Sequence, residues 1–143
     1  MKLGIEFSRK LSLAYESICK PLCHELKLPQ TAFDILMFLA NNPEFKTARD
    51  IVEVRKLKAN LVSVNIDKLV IEGYLIRKNV EGDRRKVQLL CTDKAQPIIS
   101  RGQQLQEHFV EQLFADIDDA TRQTIFQGMQ QMELNLNLIL EDN

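Results

Sequence analysis

Apolar residues along this chain recur with two different periods, and the change of period marks its parts. Over residues 5–27, Phe7, Leu11, Ala14, Ile18 and Leu22 return every three or four positions, which puts them on one face of a helix. Pro21 lies inside that pattern and is expected to bend or interrupt it. Leu28, Pro29 and Gln30 break the chain. A second helix is predicted over 31–41, where Phe33, Ile35, Leu36, Phe38 and Leu39 are apolar nearly all round, as in a helix central to a core. Asn41, Asn42 and Pro43 stop it.

The stretch 47–92 is the most structured in its signals. Thr47 is an N-cap for a short helix over 48–54, with Asp50 three residues on as part of a capping box. After a turn, Val62, Ile66, Leu69 and Val70 recur at helical spacing, and Gly73 stands where a helix ends in a left-handed residue. The period then drops to two. Residues 74–78 extend, 80–85 form a polar loop with a glycine, and Val87, Leu89 and Cys91 alternate with Gln88 and Leu90. Two short helices followed by a hairpin make a winged helix-turn-helix, with its second helix the candidate for a DNA major groove.

Thr92 and Asp93 cap a long helix to about residue 115, with Ile98, Leu105, Phe109 and Leu113 on its buried side. Pro97 is placed just past the tolerated first turn, so a local bend is expected. Asp116, Ile117 and Asp118 form a break with an N-cap, and a last helix runs over 120–140. Ile125, Met129, Met132, Leu136 and Ile139 give that helix a coiled-coil spacing. The first and last helices thus carry more apolar surface than a winged helix can cover. A second copy of the chain would cover it, with Phe7, Leu11, Ile125, Met129, Met132 and Leu136 as dimer residues. An intrachain bundle is the alternative. The fold class is mainly α with a small β-hairpin wing. Residues 1–28 and 116–143 form a helical dimerisation region, 29–95 the winged helix-turn-helix, and 96–115 a long connecting helix.

Charge sharpens this division. Residues 46–94 hold 12 basic and 7 acidic side chains, whereas 95–143 hold 2 and 8, and 1–45 hold 5 of each. A basic centre between neutral and acidic ends marks the centre as the part that meets a polyanion. No 18-residue apolar run is present, so no membrane partner is expected, and the first ten residues lack the apolar core of a secretion signal. Three cysteines without a CxxC fit reduced thiols, and the expected location is cytoplasmic.

Arg84 and Arg85 at the hairpin tip are the foremost functional candidates, with Asp83 and Lys86 beside them. A guanidinium on a narrow loop can enter a minor groove or pair with phosphate. On the second motif helix, Asn60 and Ser63 are candidates for bases or phosphates, and Lys58 and Lys68 for the backbone. Leu61 and Val64 are candidates for thymine methyls, with packing against the neighbouring helix as the alternative. Thr47 and Arg49 are placed to reach phosphates. Cys19 and Cys23, four apart on one helix face, raise the alternative of a redox sensor, although a buried structural cysteine is the commoner fate. Cys23, His24 and distant His108 lack metal-ligand spacing, so no metal and no cofactor are expected. No phosphate-binding glycine loop, HExxH or GxSxG is present, so the chain is not read as an enzyme.

The order helix, helix, helix-turn-helix, wing and two long helices resembles the MarR (multiple antibiotic resistance regulator) family of bacterial transcription factors. DKLVIEGYLIR at 67–77 and GDRRKVQLLCTDKA at 82–95 carry the resemblance most specifically, together with Thr47 opening the first motif helix. The resemblance implies a homodimer that binds a short operator in double-stranded DNA. Two-fold symmetry suits an inverted repeat, and the function read is a regulator, a repressor in the first instance with activation left open. The resemblance also implies a crevice between the dimer helices and the winged helix for a small-molecule effector. Tyr15, Ile18 and Leu22 are the expected wall residues there, with dimer core as their alternative role. In the family the counterpart of Asp83 holds a wing arginine by an ion pair. Five residues at three places depart from the family pattern. Arg55-Lys56 stands where a turn glycine is usual, Leu61 and Val64 stand where polar residues are usual, and Asn65 takes a position more often apolar. The other function class is a protein-interaction module whose winged helix has lost specific DNA binding.

Overall fold

The computed structural model describes residues 4–142. They comprise α1 (Ile5–Leu26), α2 (Gln30–Asn41), α3 (Ala48–Arg55), α4 (Ala59–Ile71), β1 (Leu75–Val80), β2 (Asp83–Cys91), a 3-10 turn (Asp93–Ala95), α5 (Gln96–Leu113) and α6 (Asp119–Glu141). This is the mainly helical, hairpin-winged fold expected. The chain divides into two compact units at residues 107 and 108, within α5.

In the first unit the core forms around α2, whose Ala32, Phe33 and every residue from Ile35 to Leu39 are buried. One cluster joins α2 to Ile51 of α3, to Val62, Ile66 and Leu69 of α4, and to Leu75 and Leu89 of the hairpin. A second cluster joins Cys19, Leu22 and Cys23 of α1 to Phe33 and Met37, with Tyr15, Ile18 and Leu105 packed against it. At about 1.5–3 kcal/mol for each large side chain fully buried, this packing holds short helices that would not persist alone. Pro21 does not interrupt α1, which is continuous through it. The helix ends instead at Lys27, whose left-handed backbone lets its amide donate to the Cys23 and His24 carbonyls.

The hairpin strands are antiparallel, from Leu75 opposite Cys91 to Val80 opposite Asp83, with an irregularity between Asn79 and Val80. Strand pairing therefore reaches further than expected, and the loop shrinks to Glu81 and Gly82, with φ +84° at the glycine. The hairpin is anchored at its base by Leu89, whose amide donates to the Lys46 carbonyl at 2.7 Å. Thr92 Oγ1 donates to the Gly73 carbonyl at 2.6 Å and so closes the strands onto the end of α4.

α5 differs from its sequence reading in two ways. A 3-10 turn precedes it, so Pro97 is its second residue, inside the first turn, where a missing N–H costs no hydrogen bond. Its buried residues are Ile98, Ile99 and Gly102, whereas Leu113 is exposed.

The second unit is the end of α5, a turn and α6. Asp116 is left-handed, and Asp118 caps α6 by accepting from the Thr121 amide at 2.7 Å. Arg122 fastens the turn by donating to the Ile117 and Phe114 carbonyls, each at 2.7 Å. The Phe114 and Phe126 rings meet with centroids 5.0 Å apart. No described residue of α6 is buried.

Candidate nucleic-acid interface

The helix-turn-helix is set by three local devices. The Thr47 hydroxyl accepts from the Asp50 amide at 3.1 Å while the Asp50 carboxylate accepts from the Thr47 amide, so the capping box is complete at the start of α3. Partial desolvation works upward on the Asp50 carboxyl, but the hydrogen bonds from Thr47 and Lys46 outweigh it and bring it below its ordinary value. At the other end of α3, Lys56 adopts φ +56°, a conformation that costs an L-residue energy and that glycine adopts freely. Lys58, extended, then caps α4 without a side-chain bond.

On α4, Val62, Asn65, Ile66 and Leu69 face the core, and Asn60, Leu61, Ser63 and Val64 are exposed. Asn65 is accommodated because its side-chain amide donates to the Leu61 carbonyl at 2.8 Å, one turn earlier. Leu61 and Val64, for which helix packing is the alternative to a groove role, are 41% and 66% exposed. Several polar candidates are already engaged locally. Asn60 Oδ1 accepts from the Leu61 amide at 2.9 Å, and Lys68 lies 3.2 Å from Glu72. Ser63 lines a cavity of about 520 Å³ with Val52, Ile66, Val87 and Leu89, which turns it toward the wing. Arg49 is exposed and bonded to Glu53 at 2.8 Å.

At the wing, Arg84, Arg85 and Lys86 are all exposed. Asp83 is half-buried, and its carboxylate accepts from the Arg85 backbone amide at 3.0 Å. The expected ion pair to a wing arginine is not formed among the described residues. Asp83 shapes the turn, which leaves both guanidinium groups to solvent. The hairpin arginine that does carry an ion pair is Arg77, with Asp67 of α4, a link between strand and helix that periodicity alone could not reveal.

The residues expected to wall an effector crevice are only partly gathered. Ile18 and Leu22 line a cavity of about 430 Å³ with Pro21, Glu25, Arg101 and Leu105. Tyr15 is not among its lining residues; its hydroxyl accepts from Gln106 at 2.8 Å, and burial raises its pKa. Of the expected dimer residues, Phe7, Met129, Met132 and Leu136 are exposed, while Leu11 and Ile125 are half-buried. Cys19 and Cys23 are buried, and burial pushes both thiols upward, Cys23 to about 11. That is the reverse of a reactive thiolate. No group of three His, Cys, Asp or Glu side chains gathers as a metal site among the described residues, and none of their helices is long and apolar enough to cross a membrane.

The MarR family model matches residues 26–86, the span from the end of α1 through the wing tip. Similar solved structures cover almost the whole chain. A putative MarR family transcriptional regulator from Listeria monocytogenes, complexed with 26mer DNA, is 19% identical with a TM-score of 0.86, covering 95% of this chain and 90% of that one. A MarR transcriptional regulator from Methanosarcina mazei Go1 is 22% identical with a TM-score of 0.81, over 94% and 96%. BpsR of Bordetella bronchiseptica, whose DNA binding is regulated by 6-hydroxynicotinic acid, is 17% identical with a TM-score of 0.72, over 92% and 94%. No curated protein sequence matches significantly. The matched residues are those whose caps, turn and wing are described above, and the fold shared with these solved structures extends to both terminal helices: the chain has the winged helix-turn-helix fold of MarR regulators, with residues 26–86 matching the MarR family model.

Proposed function

We propose that this chain is a cytoplasmic homodimer that binds an inverted-repeat operator in double-stranded DNA and represses transcription until a small ligand releases it. The observation that carries the reading is the exposed run of three consecutive cations, Arg84, Arg85 and Lys86, at the start of β2 rather than on the loop, with an outward-facing α4 inside the same family-matched residues. In this reading the wing, with Asp83 as its shaping residue, holds the minor groove or phosphates. Thr47, Arg49, Lys58 and Lys68 hold the backbone, and Asn60, Leu61, Ser63 and Val64 face base edges. Solved neighbours of the same fold include one complexed with DNA and one whose DNA binding a small molecule regulates, and both kinds of partner suit this chain.

The dimer is supported by the second unit. Phe126, Met129, Met132, Leu134, Leu136, Leu138, Ile139 and Leu140 are all exposed on α6, more apolar surface than a helix keeps in water. Residues 1–28 and 116–143 serve as the dimerisation region, 29–95 bind DNA and 96–115 connect them. The cavity at Ile18 and Leu22, with Tyr15 nearby in sequence, is the proposed effector site. The test is electrophoretic titration of the full chain on random-sequence duplex at two salt concentrations, with sedimentation equilibrium for assembly. Salt-sensitive binding by a dimer is expected. A monomer, or a chain without affinity for any duplex at low salt, would defeat the reading and leave the protein-interaction class.

A further inference from the structure

The outward face of α4 carries a stripe that the polar candidates do not explain. Leu61, Val64, Lys68 and Ile71 follow one another at spacings of three, four and three, so they share one side of the helix. The three aliphatic members are 41%, 66% and 79% exposed. Most of the polar groups around them are engaged within the chain. Asn60 accepts from its neighbour's amide, Asp67 is held by Arg77 and Lys68 by Glu72, Ser63 lines the cavity under the wing, and Asn65 is buried. What α4 presents outward is therefore chiefly aliphatic.

We infer that this stripe is a thymine reader: Leu61 and Val64 recognise the 5-methyl groups of neighbouring thymines in each half-site. The inference rests on the DNA-binding reading above and adds its specificity. In the major groove only thymine offers an apolar group, so an aliphatic side chain gains there and gains nothing at the donors and acceptors of the other bases. Leu61 and Val64 are separated by a rise of about 4.5 Å along the helix, against roughly 3.4 Å per base on a strand, so the pair suits adjacent or next-adjacent bases. Charge favours DNA over a protein as occupant of this face. Residues 46–94 hold 12 basic against 7 acidic side chains, with Arg84, Arg85 and Lys86 on the wing of the same unit.

The experiment starts with selection of bound duplexes from a random pool by the full-length chain. Thymine should be enriched at two neighbouring positions of each half-site. Each such thymine is then replaced by deoxyuridine, which removes only the methyl. Affinity should fall roughly fourfold per methyl, the equivalent of one buried methylene. Leu61→Ala and Val64→Ala should each abolish the thymine-to-uracil difference at one position, whereas Arg84→Ala should weaken binding to both duplexes and keep their ratio. Tight, selective DNA binding with uracil and thymine sites equal within twofold would overturn the thymine reader and leave the DNA-binding reading standing. Absence of binding to any duplex at low salt would overturn both, and the aliphatic face would then belong to a protein partner.

Discussion

Gly102 of α5 lies against Met37 of α2 so closely that a β-carbon on the glycine would fall 2.5 Å from the methionine sulfur. Phe33 Cζ would be 3.2 Å away. Met37 is almost wholly enclosed by Cys19, Leu22, Cys23 and Phe33, so its thioether has nowhere to swing. Replacing a mid-helix glycine by alanine ordinarily gains about 1 kcal/mol. Here overpacking, which costs about 1–3 kcal/mol, should win. Gly102→Ala is expected to be destabilised by about 1 kcal/mol in urea unfolding. Adding Met37→Val should recover most of the loss through a favourable coupling in the double-mutant cycle. A single variant more stable than the parent would disprove this close approach.

The turn of the helix-turn-helix holds a lysine in a conformation that suits glycine. Lys56 at φ +56° bears about 1–2 kcal/mol of left-handed strain, against about 0.5–1 kcal/mol of extra chain entropy for glycine. Lys56→Gly should therefore stabilise the chain by about 0.5–1 kcal/mol, read as a raised urea midpoint at unchanged slope. A lowered midpoint would mean that the lysine side chain supplies something its backbone does not reveal.

These two positions show where reading the sequence succeeds and where it stops. Arg55-Lys56 stands out because the turn there lacks its usual glycine, and the left-handed lysine is the physical consequence. Thr47 and Asp50 are legible as a cap because both partners lie within one turn. Gly102 carries no signal, since its requirement comes from a helix 65 positions away in sequence. The same holds for Arg77 and Asp67, and for Leu89 and Lys46, whose pairing depends on how the hairpin folds back. Pro97 is misplaced by periodicity because one 3-10 turn moves a helix start by a few residues. Asp83 misleads because a short side chain beside a tight turn finds a backbone amide before it finds a guanidinium. On α6 the seam is legible, but helical spacing says which residues share a face and not what covers it.

The capping box makes part of the stability pH-dependent, with a definite sign. Asp50 has a folded pKa below its ordinary carboxyl value of about 3.9. Its contribution is therefore fully present above that value and is lost as pH falls toward the folded pKa. Asp50→Asn should show a flatter decline in urea midpoint below about pH 4 than the parent, and lower stability at pH 7. An unchanged acid slope would remove Asp50 from the linkage. Loss of an N-terminal cap costs about 0.5–2 kcal/mol in general, and the exposed setting of α3 places this one toward the lower end.

Buried thiols of high pKa should be slow nucleophiles. With burial raising the Cys23 thiol from an ordinary 9.0 to about 11, ionisation alone predicts alkylation roughly 100-fold slower at pH 7.5. Burial should slow it further. Iodoacetamide labelling of the native chain, resolved by peptide mass spectrometry, should leave Cys19 and Cys23 unmodified until urea opens the fold. Rapid native labelling at either site would revive the redox-sensor alternative, as would loss of DNA binding on peroxide treatment that dithiothreitol reverses.

The wing and α4 should divide the work of DNA binding between them. Cations that meet phosphate supply affinity for any sequence together with its salt dependence, whereas groups that meet base edges supply discrimination. Arg84 and Arg85 are exposed, and Asp83 is engaged with backbone, so both guanidinium groups are available to DNA. Replacing both with alanine should weaken binding to operator and random duplex alike. The slope of log affinity against log salt should fall by about one for each phosphate no longer neutralised, hence up to about four for a dimer. Asn60→Ala and Ser63→Ala should instead act on the gap between operator and random DNA. Their effect should lie below the roughly 1–3 kcal/mol of a good base pairing, because Asn60 Oδ1 already accepts from the Leu61 amide and Ser63 lines the cavity beside the wing. Two symmetric subunits should protect half-sites centred about 10 base pairs apart. If the wing variant keeps its salt slope and its affinity for random DNA, the phosphates are held elsewhere. Lys58, Lys68 and Arg49 would then be the next cations to remove.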